Sequence, residues 1–156
     1  MRSAYKYLAY LVCVLVMVQA SSHAFASAGI AKFLENGGTI DVNSTELPDF
    51  PEAVGLMIHG INGMMVIPLV ALVLLVVSFL TRTRGAVVRA AVVFVLVVVQ
   101  VTLGLGGHSI TVLALLHGIN ALLVFGAAFV AARFMGKASR ETVAAPTHAA
   151  AGVPVG

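Results

Sequence analysis

Polar and apolar positions in this chain come in blocks. Four apolar runs, roughly residues 4 to 28, 53 to 80, 86 to 107 and 110 to 134, are separated by polar punctuation. About 20 mostly apolar residues suffice for a helix to cross the hydrocarbon of a bilayer, and each run reaches that length. The connections "TRTRG" and "GLGGHS" are short, which makes the helices they join antiparallel neighbours. The first connection, over about 29 to 52, contains "KFLENGGTIDVNSTELPDFPE" and is rich in Asp, Glu, Gly and Pro, so it reads as an exposed loop. The pattern predicts an all-α fold: a polytopic integral membrane four-helix up-and-down bundle over residues 1 to 134. The Ala, Pro and Gly-rich stretch from 135 to 156 is expected to be a disordered tail.

Composition agrees. Of 156 residues 60% are hydrophobic and only 10% charged, with a mean hydropathy of +1.06, more apolar surface than a water-soluble domain of this size can cover. The charges are also sorted. Arg2, Lys6, Arg82, Arg84, Arg89, Arg133, Lys137 and Arg140 fall on one side of a four-span arrangement, with Lys32 the exception. Glu35, Asp41, Glu46, Asp49 and Glu52, five of the six acidic residues, fall on the other. Because Lys and Arg near helix ends are retained on the cytoplasmic side, the expectation is a multi-pass protein of the cell membrane with both termini cytoplasmic. The sequence pI near 9.4 then reflects topology, and no basic and aromatic interleaving points to nucleic acid.

Two features bear on compartment. Residues 1 to 26 have the basic, apolar and "AFA" order of a cleavable secretory signal. The apolar run is longer than an ordinary signal core, and the repeat described next gives it a counterpart inside the chain, so retention is favoured. Cys13 is the only cysteine and lies mid-helix, where it reads as a small apolar side chain.

The chain repeats itself. "VLVMVQ" ends at Gln19 in the first helix and "VLVVVQ" at Gln100 in the third; "HGIN" begins at His59 in the second and at His117 in the fourth. This is one two-helix unit used twice, the copies related by an axis along the membrane normal. At 1.5 Å per residue, His59 and His117 lie roughly 9 and 10 Å below the outer starts of their helices, and Gln19 and Gln100 roughly 14 and 10 Å before the outer ends of theirs. All four side chains share one layer. Helices two and four are diagonal in such a bundle, so the two imidazoles are expected to face each other across its axis.

Ionisable side chains at membrane depth are costly and normally face the bundle interior for a functional reason. Neutral imidazole is the cheapest of them and a good axial ligand for haem iron. One turn on from each histidine stand Asn62 and Gly63, or Asn120 and Ala121; the small residues leave room for a ring edge, and the Asn can position a ligand or bond a neighbouring helix. Gln19 and Gln100 are expected to donate hydrogen bonds behind the histidines. His23 and His108, near the outer interface, are candidates to meet the carboxylates of a haem. The expected cofactor is haem b, with His59 and His117 as its metal ligands.

The arrangement resembles one four-helix half of haem A synthase, a family whose halves each carry one ligand histidine in the second helix and one in the fourth. The likeness covers roughly residues 4 to 134 and is carried by "QVTLGLGGHSITVLALLHGINALL" and the two "HGIN" segments. The chain is more closely similar to small four-helix membrane proteins with the same two histidines, a likeness that brings no activity with it. The resemblance implies His59 and His117 as an axial pair. It also shows departures: Leu56 stands where the synthase has a carboxylate one turn before the second-helix histidine, and no Asp or Glu falls within any expected membrane core. Haem A synthesis is therefore not expected; electron transfer or haem handling is.

Two other classes remain open. His23, His59, His108 and His117 suit zinc or copper near the outer face, although no Cys or carboxylate joins them. A small subunit or scaffold, using the His and Gln layer as interhelical hydrogen bonds, needs no cofactor. Partners beyond the lipid bilayer are then a redox or membrane-complex protein, or a second copy of the chain. A full proton path is not expected, since "PLVALVLLVVSFL" and "GAAFVAARF" offer little polar continuation. Pro68 is expected to kink helix two.

Overall fold

The computed structural model describes residues 1–41, 44 and 48–144. The chain is all-helical, with four helices long and apolar enough to cross a membrane: α1 Arg2–Glu35, α2 Pro51–Leu80, α3 Ala86–Gly107 and α4 Thr111–Ala144. Among the described residues there is no strand. α1 packs on α2 and α4, and α3 packs on the same two, so the helices form a ring with α2 diagonal to α4. The start of α1 and the end of α4 lie at one end, here called the basic end; the α1–α2 connection lies at the other, the loop end.

Two boundaries differ from the sequence expectation. α1 runs on to Glu35, because Gly29 lets Glu52 and Phe50 close against it, Phe33 stacks on Phe50 at 5.2 Å, and Lys32 stands 3.9 Å from Glu52. The loop expected from 29 therefore starts later, and the one cation at this end meets an acid. Residues 135 to 144, expected to be disordered, continue α4. Met135 is fully buried, and "KASRETVA" is made largely of good helix formers. Residues 145 to 156 lie outside the described residues. α1 also passes unbroken through Ala26, which is fully buried beside Gly55.

The disruption expected at Pro68 takes the form of a wide turn. Proline lacks an N–H and its ring crowds the carbonyl four residues back. Just before it, Asn62–Val66 forms one π-helical turn, in which the Ile67 N–H bonds the Asn62 carbonyl five residues back. Such a turn inserts one extra residue into a helix. The insertion is visible in the repeat. His59 and Asn62 match His117 and Asn120 at a separation of 58, whereas the buried face Ile67, Ala71, Leu74 and Ser78 matches Val124, Ala128, Ala131 and Met135 at 57. α4 has no such turn.

The apolar core is confined to the basic end. It comprises Tyr5, Ala9, Val12 and Cys13 of α1, the α2 face from Ile67 onward, Ala86 to Val97 of α3, and Val124 to Met135 of α4. Alanines on all four helices let the backbones approach, the usual basis of helix association where lipid removes the hydrophobic incentive. Across the axis the Tyr5 hydroxyl donates to the Ala86 carbonyl at 3.1 Å, a large residue in one copy filling the space left by a small one in the other. Toward the loop end, the buried residues belong to seams within a pair: Ser22, Ala26 and Gly55 between α1 and α2, and Asn120 against α3. Val54–Val66 packs on α1, with no comparable packing on α3 or α4 among the described residues. The molecule is thus one bundle at its basic end and two helix pairs at its loop end.

Candidate functional site

Each pair is closed by the same four hydrogen bonds. In the first, Gln19 Nε2 donates to the His59 carbonyl at 2.8 Å, and His59 Nδ1 lies 3.0 Å from the Gln19 carbonyl. Asn62 Nδ2 donates to the Leu15 carbonyl and to Gln19 Oε1, both at 2.9 Å. In the second, Gln100 Nε2 donates to the His117 carbonyl at 3.0 Å, and His117 Nδ1 lies 3.0 Å from the Gln100 carbonyl. Asn120 Nδ2 donates to the Leu96 carbonyl at 2.9 Å and to Gln100 Oε1 at 2.7 Å. Both Asn side chains are buried, while the four Gln and His side chains are half-buried.

Through this network Asn62 and Asn120 each bond a neighbouring helix by Nδ2. It also changes the part expected of the glutamines. Their amides reach histidine main chain, and it is the Gln backbone carbonyl that holds each imidazole. Ser22 Oγ also donates to the Gln19 carbonyl, at 3.1 Å. A carbonyl accepts only, so Nδ1 carries the proton in both rings. Nε2 is then the nitrogen with the lone pair, and among the described residues neither Nε2 has a hydrogen-bond partner. A backbone carbonyl on Nδ1–H is the usual way a protein fixes an imidazole that offers Nε2 to a metal.

The two rings meet across the axis, as the repeat predicts. Their centroids are 6.2 Å apart and their planes inclined at 53°. Gly63 abuts the Gln19 amide so closely that a Cβ would collide with it; Ala121, its counterpart, is half-buried. His23 joins the layer, its ring centroid 4.8 Å from that of His59. His108 does not; it is exposed just past the end of α3. Cys13 lies deeper, its thiol 3.6 Å from the Phe125 carbonyl.

One position was missed by reading the sequence. Gly104 stands against the His117 ring, where an added Cβ would lie 3.0 Å from Cε1 and 3.1 Å from Nδ1. Gly104 follows Gln100 by four residues, as His23 follows Gln19, so spacing alone pairs them. Among the described residues no group of three or more His, Cys, Asp or Glu is arranged to hold a metal ion. The arrangement brings two imidazole rings together, each with Nδ1–H held by a carbonyl and with Nε2 lacking a hydrogen-bond partner among the described residues. Comparison with family models, with curated proteins and with solved structures finds no match to this chain.

Proposed function

We propose that the chain is a membrane cytochrome of the b type, holding one haem between α2 and α4 through Nε2 of His59 and His117. The observation that carries this reading is the 6.2 Å between ring centroids, together with Nδ1–H fixed on a carbonyl in both rings. Each ring offers Nε2, and the two rings lie close enough that His59 and His117 would hold one metal between them, as a haem iron requires. The parting of the helix pairs toward the loop end supports entry of a flat guest, and the likeness to half of haem A synthase points the same way.

Bound there, haem supplies one-electron redox chemistry. The residues of the chain do the holding. The Gln19 and Gln100 carbonyls fix ring tautomer and orientation, Asn62 and Asn120 fix the glutamines, and Gly104 leaves space for the His117 ring. His23, beside His59, is the polar group left for carboxylates at the edge of the guest. The proposed setting is the cell membrane with the basic end cytoplasmic. Interhelical bonding alone, the scaffold reading, accounts for the Asn and Gln contacts but leaves two free Nε2 atoms unexplained.

The test is the visible spectrum of detergent-purified protein from haem-replete cells, oxidised and reduced. Sharp α and β bands, lost in both His59→Ala and His117→Ala while the helical circular dichroism stays, are the expected result. A folded, colourless wild-type protein would overturn it, and metal analysis of that sample would test zinc or copper.

A further inference from the structure

At the basic end the seam between α1 and α4 opens into a cleft of about 660 Å³. Arg2, Lys6, Arg133, Lys137 and Arg140 line it, five of the nine Lys and Arg residues in the chain. Neither Arg133 nor Arg140 has an ion-pair partner among the described side chains. Gly136 deepens the cleft: a Cβ there would come 3.8 Å from the Lys6 chain. On the side toward the bilayer centre, Tyr10 lines the wall and meets Phe129 edge-on at 6.3 Å.

Topology alone asks only that cations sit at this end, not that they gather in one seam. The internal repeat supplies the control. The matching seam, between α2 and α3, is bridged by the short Thr81–Gly85 turn. There the counterparts of Lys6, Tyr10, Arg133 and Gly136 are Val87, Ala91, Val76 and Phe79, at the separations of 81 for α1 and 57 for the α4 segment. At these positions one seam is apolar; the other is cationic, with Tyr10 on its wall.

We propose that this cleft binds the phosphate-bearing headgroup of an anionic phospholipid from the leaflet on the basic side. Lys6, Arg133 and Arg140 hold the phosphate, and an acyl chain lies along Tyr10 and Phe129. Basic clefts between membrane helices select such headgroups because several cations meet one phosphate at the interface, where an apolar wall also receives the chain. The site is independent of the haem reading and of which leaflet faces the cytoplasm.

Native mass spectrometry of the full-length chain in a mild detergent provides the test, with titrations of phosphatidylglycerol, phosphatidylcholine and soluble glycerol phosphate. One phosphatidylglycerol per chain should be retained at least about tenfold more tightly than phosphatidylcholine. The double variant Lys6→Gln with Arg133→Gln should weaken it by about fivefold per charge, some 25-fold together, while Arg82→Gln with Arg84→Gln changes it by less than about twofold. Lys6→Arg with Arg133→Lys, which keeps both charges, should keep the lipid and shows that loss is not misfolding. Equal weakening by both neutralised pairs would reduce the effect to general surface charge and overturn the site. Glycerol phosphate displacing the lipid with equal affinity would make it a soluble-anion site instead and overturn the lipid assignment.

Discussion

The α1/α2 and α3/α4 pairs are two copies of one design that have diverged around a constant centre. Both keep the Gln, His and Asn network with the same partners, atom for atom. Around it nearly everything differs. The first copy has Gly63 pressed on its glutamine, a π-turn under its asparagine, and His23 beside its imidazole. The second has Ala121, a continuous helix and Gly104 in those places. The comparison teaches that the network, which fixes where each Nε2 is offered, is what the repeat preserves, while ring surroundings and helix geometry are free to vary.

The heaviest blow to this correspondence is a change of register where no wide turn absorbs it. Deleting Leu123 from α4 turns its His117 and Asn120 by about 100° relative to the face that packs the core. The four bonds of the second network should be lost, about 2–3 kcal/mol at roughly 0.6 kcal/mol each, together with any bound haem spectrum. Deleting Met65 instead leaves α2 the seven-residue spacing that α4 has from His117 to Val124, so the first network should survive it. Unfolding by increasing sodium dodecyl sulfate measures both; equal losses from the two deletions would mean that the π-turn has no part in register.

Smaller, and sharper as a comparison, are Asn62→Leu and Asn120→Leu. Each removes two hydrogen bonds and strips the neighbouring glutamine oxygen of its donor, at about 1–2 kcal/mol. The two losses should agree within about 0.5 kcal/mol, and their sum should hold in the double variant if the networks are independent. A difference well beyond that margin would show that the copies are not equivalent.

The smallest effect is expected from His23→Gly, which gives the first copy the residue of the second. Stability should fall by about 1 kcal/mol or less, the ordinary cost of glycine in a helix, and the two-histidine spectrum should persist with at most a small band shift. Disappearance of the bands would transfer the ligand role on that side from His59 to His23.

How much of this could be read in advance depends on which residues carried the signal. Four helices were legible because each apolar block is long and bounded by charge or glycine. The layer was legible because Gln19, His59, Gln100 and His117 are polar exceptions at countable depth. The hydrogen bonding was not: it runs through backbone carbonyls, which every residue has and no sequence advertises. Nor was the π-turn. Pro68 announced a disturbance, but its form emerges only when burial shows Ala71 matched with Ala128 while His59 matches His117. The extension of α4 was hidden by the weak polarity contrast of "KASRETVA", whose helix rests on Met135 being buried.

Confining the apolar core to one end makes the molecule a pair of tongs. Val124 closes the gripped end, and His117 sits seven residues beyond it, an arm of about 10 Å. A tilt of about 5° at the fulcrum then moves that imidazole by about 1 Å while the alanine-packed grip stays shut.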